Sequence, residues 1–461
     1  MKIRFDATNL HAFMVGEHGL APSEIKSNIP AAKAAIEQFQ LAVKEGKYGF
    51  PELPFQTEEH REILAYAAQL QGSYDTVCLV GIGGSALGAW ALDCALRGPH
   101  PVQKAFSVKN PRLVILDNVD PSFILAALES MNPRRTMVVV AAKSGATAET
   151  VAVFLHVKDW LTRSLGKKAS QRIVAVTSEH RGDLKVLATQ EGYRTFHLWE
   201  NVGGRFSVLS AIGLVPAALA GMDIRKLAKG AAAITKLCWN RDLEKNVALK
   251  AALFHYLMLS YRNKTIQVAF PYSNRLWGVA FWFRQLWAES LGKRTNRAGE
   301  VIHAGQTPVA ALGATDQHSQ VQLYMEGPND KVFTFWGVDK FPDPGRIPKI
   351  KTGLEAFDYL GGQTLAKLLT AERLSTAAAL TAAHRPNCSF LLDRVDEEHV
   401  GAFLQIMEFE TAFMGELLNI NAFDQEGVEL GKKFTFGLMG RRGFENFRDE
   451  FRAYEKKQQG R

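Results

Sequence analysis

Short, almost wholly apolar runs separated by amphipathic stretches set the texture of this chain from about residue 76 onward. Thr76 to Val80, Leu113 to Asp117, Thr136 to Ala141, Ile173 to Thr177 and Thr195 to Trp199 each read as a strand, with helical patterns such as ALGAWALDCAL between them. Strands this continuously apolar, alternating with helices, predict a parallel sheet covered on both faces. The pattern gives way to a helical stretch at about 207–262, then resumes at Thr265 to Phe270 and Val332 to Trp336. The expected fold class is α/β, with two parallel-sheet units. A polar, helical segment over 1–50 precedes them, the first unit spans 51–225, the second 226–395, and a helical segment covers 396–461. No Gly/Ser-rich linker parts the two units, so an extensive interface is expected. A binding site belongs between them, at the carboxyl ends of the strands.

Composition narrows the class without choosing a function. The 461 residues are 47% hydrophobic and 22% charged, an ordinary globular balance. Cys78, Cys94, Cys238 and Cys388 are scattered with no C-x-x-C pair, the pattern of buried, reduced thiols rather than of a disulfide framework or a zinc site. The opening MKIRFDATNL has no apolar core of a signal peptide, and the apolar run Leu209 to Met222 is too short to span a bilayer. A cytoplasmic protein without membrane partners is expected. The net charge of +8 is spread along the chain; it suits nucleic acid and small anions alike, and composition alone does not separate the two.

Two turns have the chemistry to hold a phosphate. GIGGSALG, Gly81 to Gly88, follows a strand and opens a helix. Glycines such as Gly83 and Gly84 let backbone N–H groups approach an anion, the helix N-terminus favours negative charge, and Ser85 adds a hydroxyl. The string also fits a loose dinucleotide fingerprint at Gly81, Gly83 and Ala86, but the acid that should follow about twenty residues later arrives only at Asp117. A Walker loop is excluded, because Ala89-Trp90 stand where Lys-Ser/Thr would follow Gly88. The second turn, AAKSGATAET from Ala141 to Thr150, offers Lys143, Ser144, Thr147 and Thr150. Its hydroxyls either cap the next helix or present donors to an anion.

GIGGS followed by K-S-G-x-T-x-E-T resembles the sugar isomerase (SIS) fold and, within it, the glucose-6-phosphate isomerase family. The resemblance implies two flavodoxin-like α/β/α subdomains, a sugar-phosphate substrate and no cofactor. It also implies that Ser85, Ser144 and Thr147 bind the phosphate, with Gly83, Gly84, Lys143 and Thr150 beside them. Ala142 and Ala146 stand where the family usually has Ser and Thr. Each loses a hydroxyl, and a hydrogen bond to a charged group is worth roughly 1.5–3 kcal/mol, so affinity is affected before reaction type.

Four further segments carry candidate chemistry. Arg205, in NVGGRFS, is either a surface arginine in a turn or a guanidinium reaching an anion at the sheet's carboxyl edge. VGGRFSVLSAIGLVPAALAG matches a family signature, which implies that Arg205 stabilises an enediolate. Glu289 is the one acid in WGVAFWFRQLWAESLGK, residues 277–293; on spacing alone it either pairs with Lys293 at i+4 or serves as a base. QLWAESLGK resembles the family's catalytic segment, which points to Glu289 as the proton shuttle. His318 in GATDQHSQ falls at the family's ring-opening histidine, contributed there by a neighbouring subunit, and so implies a homodimer. FDQEGVELGK, residues 423–432, matches a second signature, implying that Gln425 lines the site and Lys432, rather than the adjacent Lys433, assists ring opening. Three other classes share part of this pattern: a non-catalytic sugar-phosphate sensor, an isomerase of mannose or amino-sugar phosphates, and a dehydrogenase. A sensor has no use for Glu289, His318 and Lys432 together.

Overall fold

A computed structural model describes residues 2–99, 106–143, 145 and 147–460. Its strands are β1 (Ile3–Asp6), β2 (Thr76–Val80), β3 (Arg112–Leu116), β4 (Thr136–Ala141), β5 (Ile173–Ser178), β6 (Arg194–Leu198) and β7 (Ile266–Pro271). They are followed by β8 (Lys293–Thr295), β9 (Val301–Ala304), β10 (Thr307–Ala310), β11 (Lys331–Val338) and β12 (Asn387–Leu392). One five-stranded sheet has the order β3-β2-β4-β5-β6 and is parallel throughout. This is the flavodoxin-like order, in which the first strand of the sheet lies beside the third. The connections from β2 and β4 therefore leave in opposite directions and open a crevice at their carboxyl ends.

The alternation of side chains explains why these strands are apolar on both faces. Val77, Leu79, Val139 and Val174 enter a core shared with the rest of the molecule. Their neighbours Cys78, Val80, Val138 and Ala175 enter a second layer under the helix Ala148–Leu165. All four cysteines are free and buried.

The second sheet runs β1-β12-β11-β7-β10. Four of its strands are parallel, but β1 joins β12 antiparallel, from Ile3 opposite Leu392 to Asp6 opposite Ser389. The chain therefore begins with a strand, where its polar, helical texture predicts helices. β1 is four residues long, alternately buried and exposed, and too short for its period to stand out. β10 also escapes the apolar pattern: Pro308 interrupts it, and it lies at a sheet edge, where a missing N–H is tolerated.

The interface between the sheets is built by helices. Asn274–Leu291, which follows β7, packs against Leu87–Arg97, which follows the first glycine turn. Their approach is close at Gly278, where a Cβ would lie 2.9 Å from that of Cys94. Trp90 meets the edges of Trp277 and Phe281 there, and Arg275 donates to the carbonyls of Ala95 and Leu96.

Behind the second sheet, His255 Nδ1 stands 2.6 Å from Glu410 Oε1, both side chains wholly buried, while His255 Nε2 is 3.1 Å from Thr334 Oγ1. Among the described residues, no helix is long and apolar enough to cross a membrane.

Candidate active site

The two phosphate-type turns lie where the strand order places them, after β2 and β4. Gly83–Ser85 is a single tight turn leading into the helix Leu87–Arg97. Gly83 has φ +57°, in the left-handed region that favours glycine. Gly84 meets a different demand: a Cβ there would lie 2.7 Å from the Arg205 amide nitrogen, so the backbones of the two loops touch.

In the second turn, Thr147 precedes the helix Ala148–Leu165 and makes no capping hydrogen bond to it, which sets the capping alternative aside at that residue. Thr150 is buried in the helix's first turn. Ser144 and Ala146 lie outside the described residues. Lys143 donates to the carbonyls of Glu200 (2.6 Å) and Val202 (3.3 Å), and burial lowers its pKa. Its ammonium braces the segment that runs into Gly203, Gly204 and Arg205. The Glu200 carboxylate, held below its ordinary pKa by Ser178 and Arg181, closes the same corner.

Arg205 is 3% exposed and spends its donors in several directions. Nε donates to Ser290 Oγ at 2.7 Å, and one terminal nitrogen donates to the carbonyls of Ala422 (2.6 Å) and Asp424 (2.9 Å). The other donates to Gln425 Oε1 at 3.0 Å and stands 3.5 Å from Glu289 Oε2. A planar fork with five N–H groups can serve this many partners; an ammonium cannot. Burial lowers the guanidinium's pKa, and the Glu289 and Asp424 carboxylates act against that. The surface-arginine alternative is excluded.

The Glu289 side chain is 34% exposed, and Gln285, one helical turn earlier, donates to its Oε1 at 3.0 Å. Gln285 also faces the first turn, since a Cβ on Gly83 would lie 3.0 Å from its Nε2. Lys293 does not pair with the Glu289 carboxylate. Its Nζ donates to the Glu289 carbonyl (2.8 Å) and the Asp424 carbonyl (2.7 Å), and lies 3.0 Å from Asp424 Oδ1.

Arg205, Glu289, Gln425, Gly83 and Gly84 thus form one neighbourhood. Within the single chain, no hydrogen bond or ion pair among the described residues ties His318 or Lys432 to this neighbourhood. His318 is exposed at the end of the turn Thr315–His318, and Lys432 is exposed on the helix Glu429–Leu438, paired with Glu429 at 2.8 Å. Among the described residues, neither hydrogen-bonds to Arg205 or Glu289. Lys433 lies over the Phe447 ring at 5.3 Å, within its own helical hairpin. Three site residues escape the sequence patterns: Gln285, Ser290 and Asp424. Gln285 had a usable signal, an amide at i−4 from the acid on the same helix face.

Known proteins resemble this chain over most of its length. The profile of the phosphoglucose isomerase family matches residues 64–442. The glucose-6-phosphate isomerase of Carboxydothermus hydrogenoformans is 39% identical over 98% of this chain and 97% of its own. That of Rubrobacter xylanophilus is 40% identical over 96% and 99%. A crystal structure from Thermus thermophilus, described as that of a hypothetical protein, superposes with a TM-score of 0.86 at 37% identity, covering 95% of this chain and 100% of that one. A glucose-6-phosphate isomerase from Chlamydia trachomatis gives a TM-score of 0.75 at 25% identity, covering 87% of this chain and 76% of that one. With a profile match from the helix before β2 to beyond Lys432, and relatives aligned over nearly their whole length, this chain belongs to the phosphoglucose isomerase family.

Proposed function

We propose that this protein interconverts glucose 6-phosphate and fructose 6-phosphate, a step shared by glycolysis and gluconeogenesis. The observation that carries the reading is the buried Arg205 guanidinium 3.5 Å from the Glu289 carboxylate, beside the glycine turn that a phosphate would occupy. The names of the relatives supply the substrate.

The phosphate is assigned to the backbone amides of Gly83 and Gly84 and to Ser85, Ser144 and Thr147, with Lys143 and Thr150 close by. Ring opening delivers a proton to O5 and removes one from the O1 hydroxyl, steps assigned to His318 and Lys432. Glu289 then takes the C2 proton, the electron pair of that bond forms C1=C2, and negative charge develops on O1. Arg205 faces that charge, and preorganised charge of this kind often supplies the largest share of catalysis. The O2 hydroxyl proton then passes to O1, and as Glu289 returns its proton to C1 the C2–O2 bond becomes the carbonyl. Gln425 lines the pocket and helps hold Arg205.

His318 reaches this site from a second subunit, so the active form is a homodimer. Its exposure on the single chain supports that assignment. A cytoplasmic location follows from the metabolic role.

The test is an assay of fructose 6-phosphate conversion to glucose 6-phosphate, coupled to a dehydrogenase, with and without EDTA. Turnover that is indifferent to EDTA is expected; absence of turnover overturns the reading.

A further inference from the structure

The helix that carries Glu289 ends at Leu291, so the Glu289 carbonyl is among those left without an intrahelical partner. Lys293 supplies one and does more. Its side chain is 11% exposed, and its ammonium has three acceptors around it: the Glu289 carbonyl at 2.8 Å, the Asp424 carbonyl at 2.7 Å and the Asp424 carboxylate at 3.0 Å. Three donors thus meet three acceptors. Burial lowers this lysine's pKa, and the Asp424 carboxylate, with a smaller contribution from Glu289, counters the burial.

On its other side the Asp424 carbonyl also accepts from Arg205. Phe423 sets the depth of this segment by stacking on Tyr48 and packing at a tilt against Phe206, but a ring stack does not fix the segment along the ring plane. The polar grip of Lys293 and Arg205 does. Gln425 comes next, and from Glu429 the chain enters the helix bearing Lys432.

We propose that Lys293 is a positioning residue. By holding the Glu289 carbonyl and Asp424 in one grip, it fixes the spacing between the shuttle carboxylate and the segment that presents Gln425 and leads to Lys432. The inference rests on the assignment of Glu289 as the shuttle. Misplacement by about 1 Å can cost on the order of 10²-fold in rate, so the grip should register in kcat before it registers in KM.

The experiment compares Lys293→Met, Asp424→Asn, the double variant and Glu289→Gln by steady-state kinetics, with circular dichroism and thermal melts to show folding. Lys293→Met is expected to lower kcat by about 30-fold or more with KM within about 3-fold. Asp424→Asn should lower kcat less, and the double variant should fall no further than Lys293→Met, since both act on one contact. A Lys293→Met enzyme with kcat within about 3-fold of wild type, or losses that simply multiply in the double variant, overturns the proposal. If Lys293→Met does not fold, Asp424→Asn decides: unchanged kcat overturns it and lowered kcat at constant KM upholds it. Glu289→Gln separates the two levels of argument. If it is inactive while Lys293→Met is normal, only the positioning role fails; if it is active, the shuttle assignment fails and the positioning proposal with it.

Discussion

Gly84 and Gly204 lie backbone against backbone, so the turn after β2 rests directly on the turn that delivers Arg205. Side chains are excluded from this joint, and its fit decides where the guanidinium stands relative to the phosphate turn. Gly84→Ala should therefore lose most activity and about 1–3 kcal/mol of stability, as over-packed positions do. Gly203→Ala is the control, since nothing lies within 4 Å of a Cβ there. Its urea midpoint should stay near that of wild type.

Glu289→Gln removes the proton acceptor and keeps the shape. The variant should fold, retain affinity for a sugar phosphate and lose at least about 10²–10⁴-fold in kcat, the usual worth of a general base. Isothermal titration with substrate beside the coupled assay separates binding from turnover. Near-normal kcat rules Glu289 out as the shuttle.

Arg205→Lys keeps a charge but leaves part of the acceptor set unserved: Ser290, Gln425 and the carbonyls of Ala422 and Asp424. A fall of about 10²–10³-fold in kcat is expected from the lost oxyanion partner. Each buried acceptor left unpaired costs a further ~1–3 kcal/mol of stability. Comparable kcat in the two proteins would show that the fork geometry is dispensable.

Mixing subunits tests where His318 acts. Glu289→Gln and His318→Gln homodimers are each expected to be nearly inactive. After unfolding and refolding together in equal amounts, half of the dimers are hybrids with one intact site each. Activity should then return to about a quarter of wild type. No recovery places His318 in the same chain's site.

The His255–Glu410 pair sets a pH dependence of stability. Burial alone would lower the imidazole's pKa, but the Glu410 carboxylate and the hydrogen bonds to it and to Cys388 outweigh it and raise the value to about 10. For Glu410 itself burial raises the carboxyl pKa. Both groups hold protons more tightly folded than unfolded. The contribution of His255 is thus complete below its ordinary value of about 6.5 and is lost as pH climbs toward 10. The thermal midpoint of wild type should fall across that window, and Glu410→Gln should flatten the fall. A midpoint independent of pH from 6.5 to 10 contradicts the pairing.

What could be read from the chain divides along physical lines. β2, β4, β5, β7 and β11 announce themselves because both faces are buried and most positions are apolar, whereas β3 and β6 are legible from their apolar positions although they are only partly buried. β1 and β10 do not, one being four residues long and half exposed, the other an edge strand with a proline. β12 opens on Asn387, whose side chain bonds the end of the preceding helix, so polarity masks its start. Within the site, the family signatures name Arg205, Glu289 and Gln425, and the fold brings those three together. Spacing alone misdirects Lys293: i+4 suggests an ion pair with Glu289, whereas the helix terminus offers a carbonyl with no other partner. A linear pattern shows which groups are near on a helix face, not which backbone atoms go unserved when the helix stops.

β1 has a consequence for how this protein can be cut and made. Its partner strand lies some 380 residues later, so the edge of the second sheet is closed by a segment far away in sequence from the strands it completes. A fragment starting after the first sheet would expose the β12 edge, with Phe390 and Leu392 in it, and invite chain-to-chain pairing. A circular permutant that joins Ile3–Asp6 directly to the strand it covers would carry its own edge protection, whatever order the rest of the chain is made in.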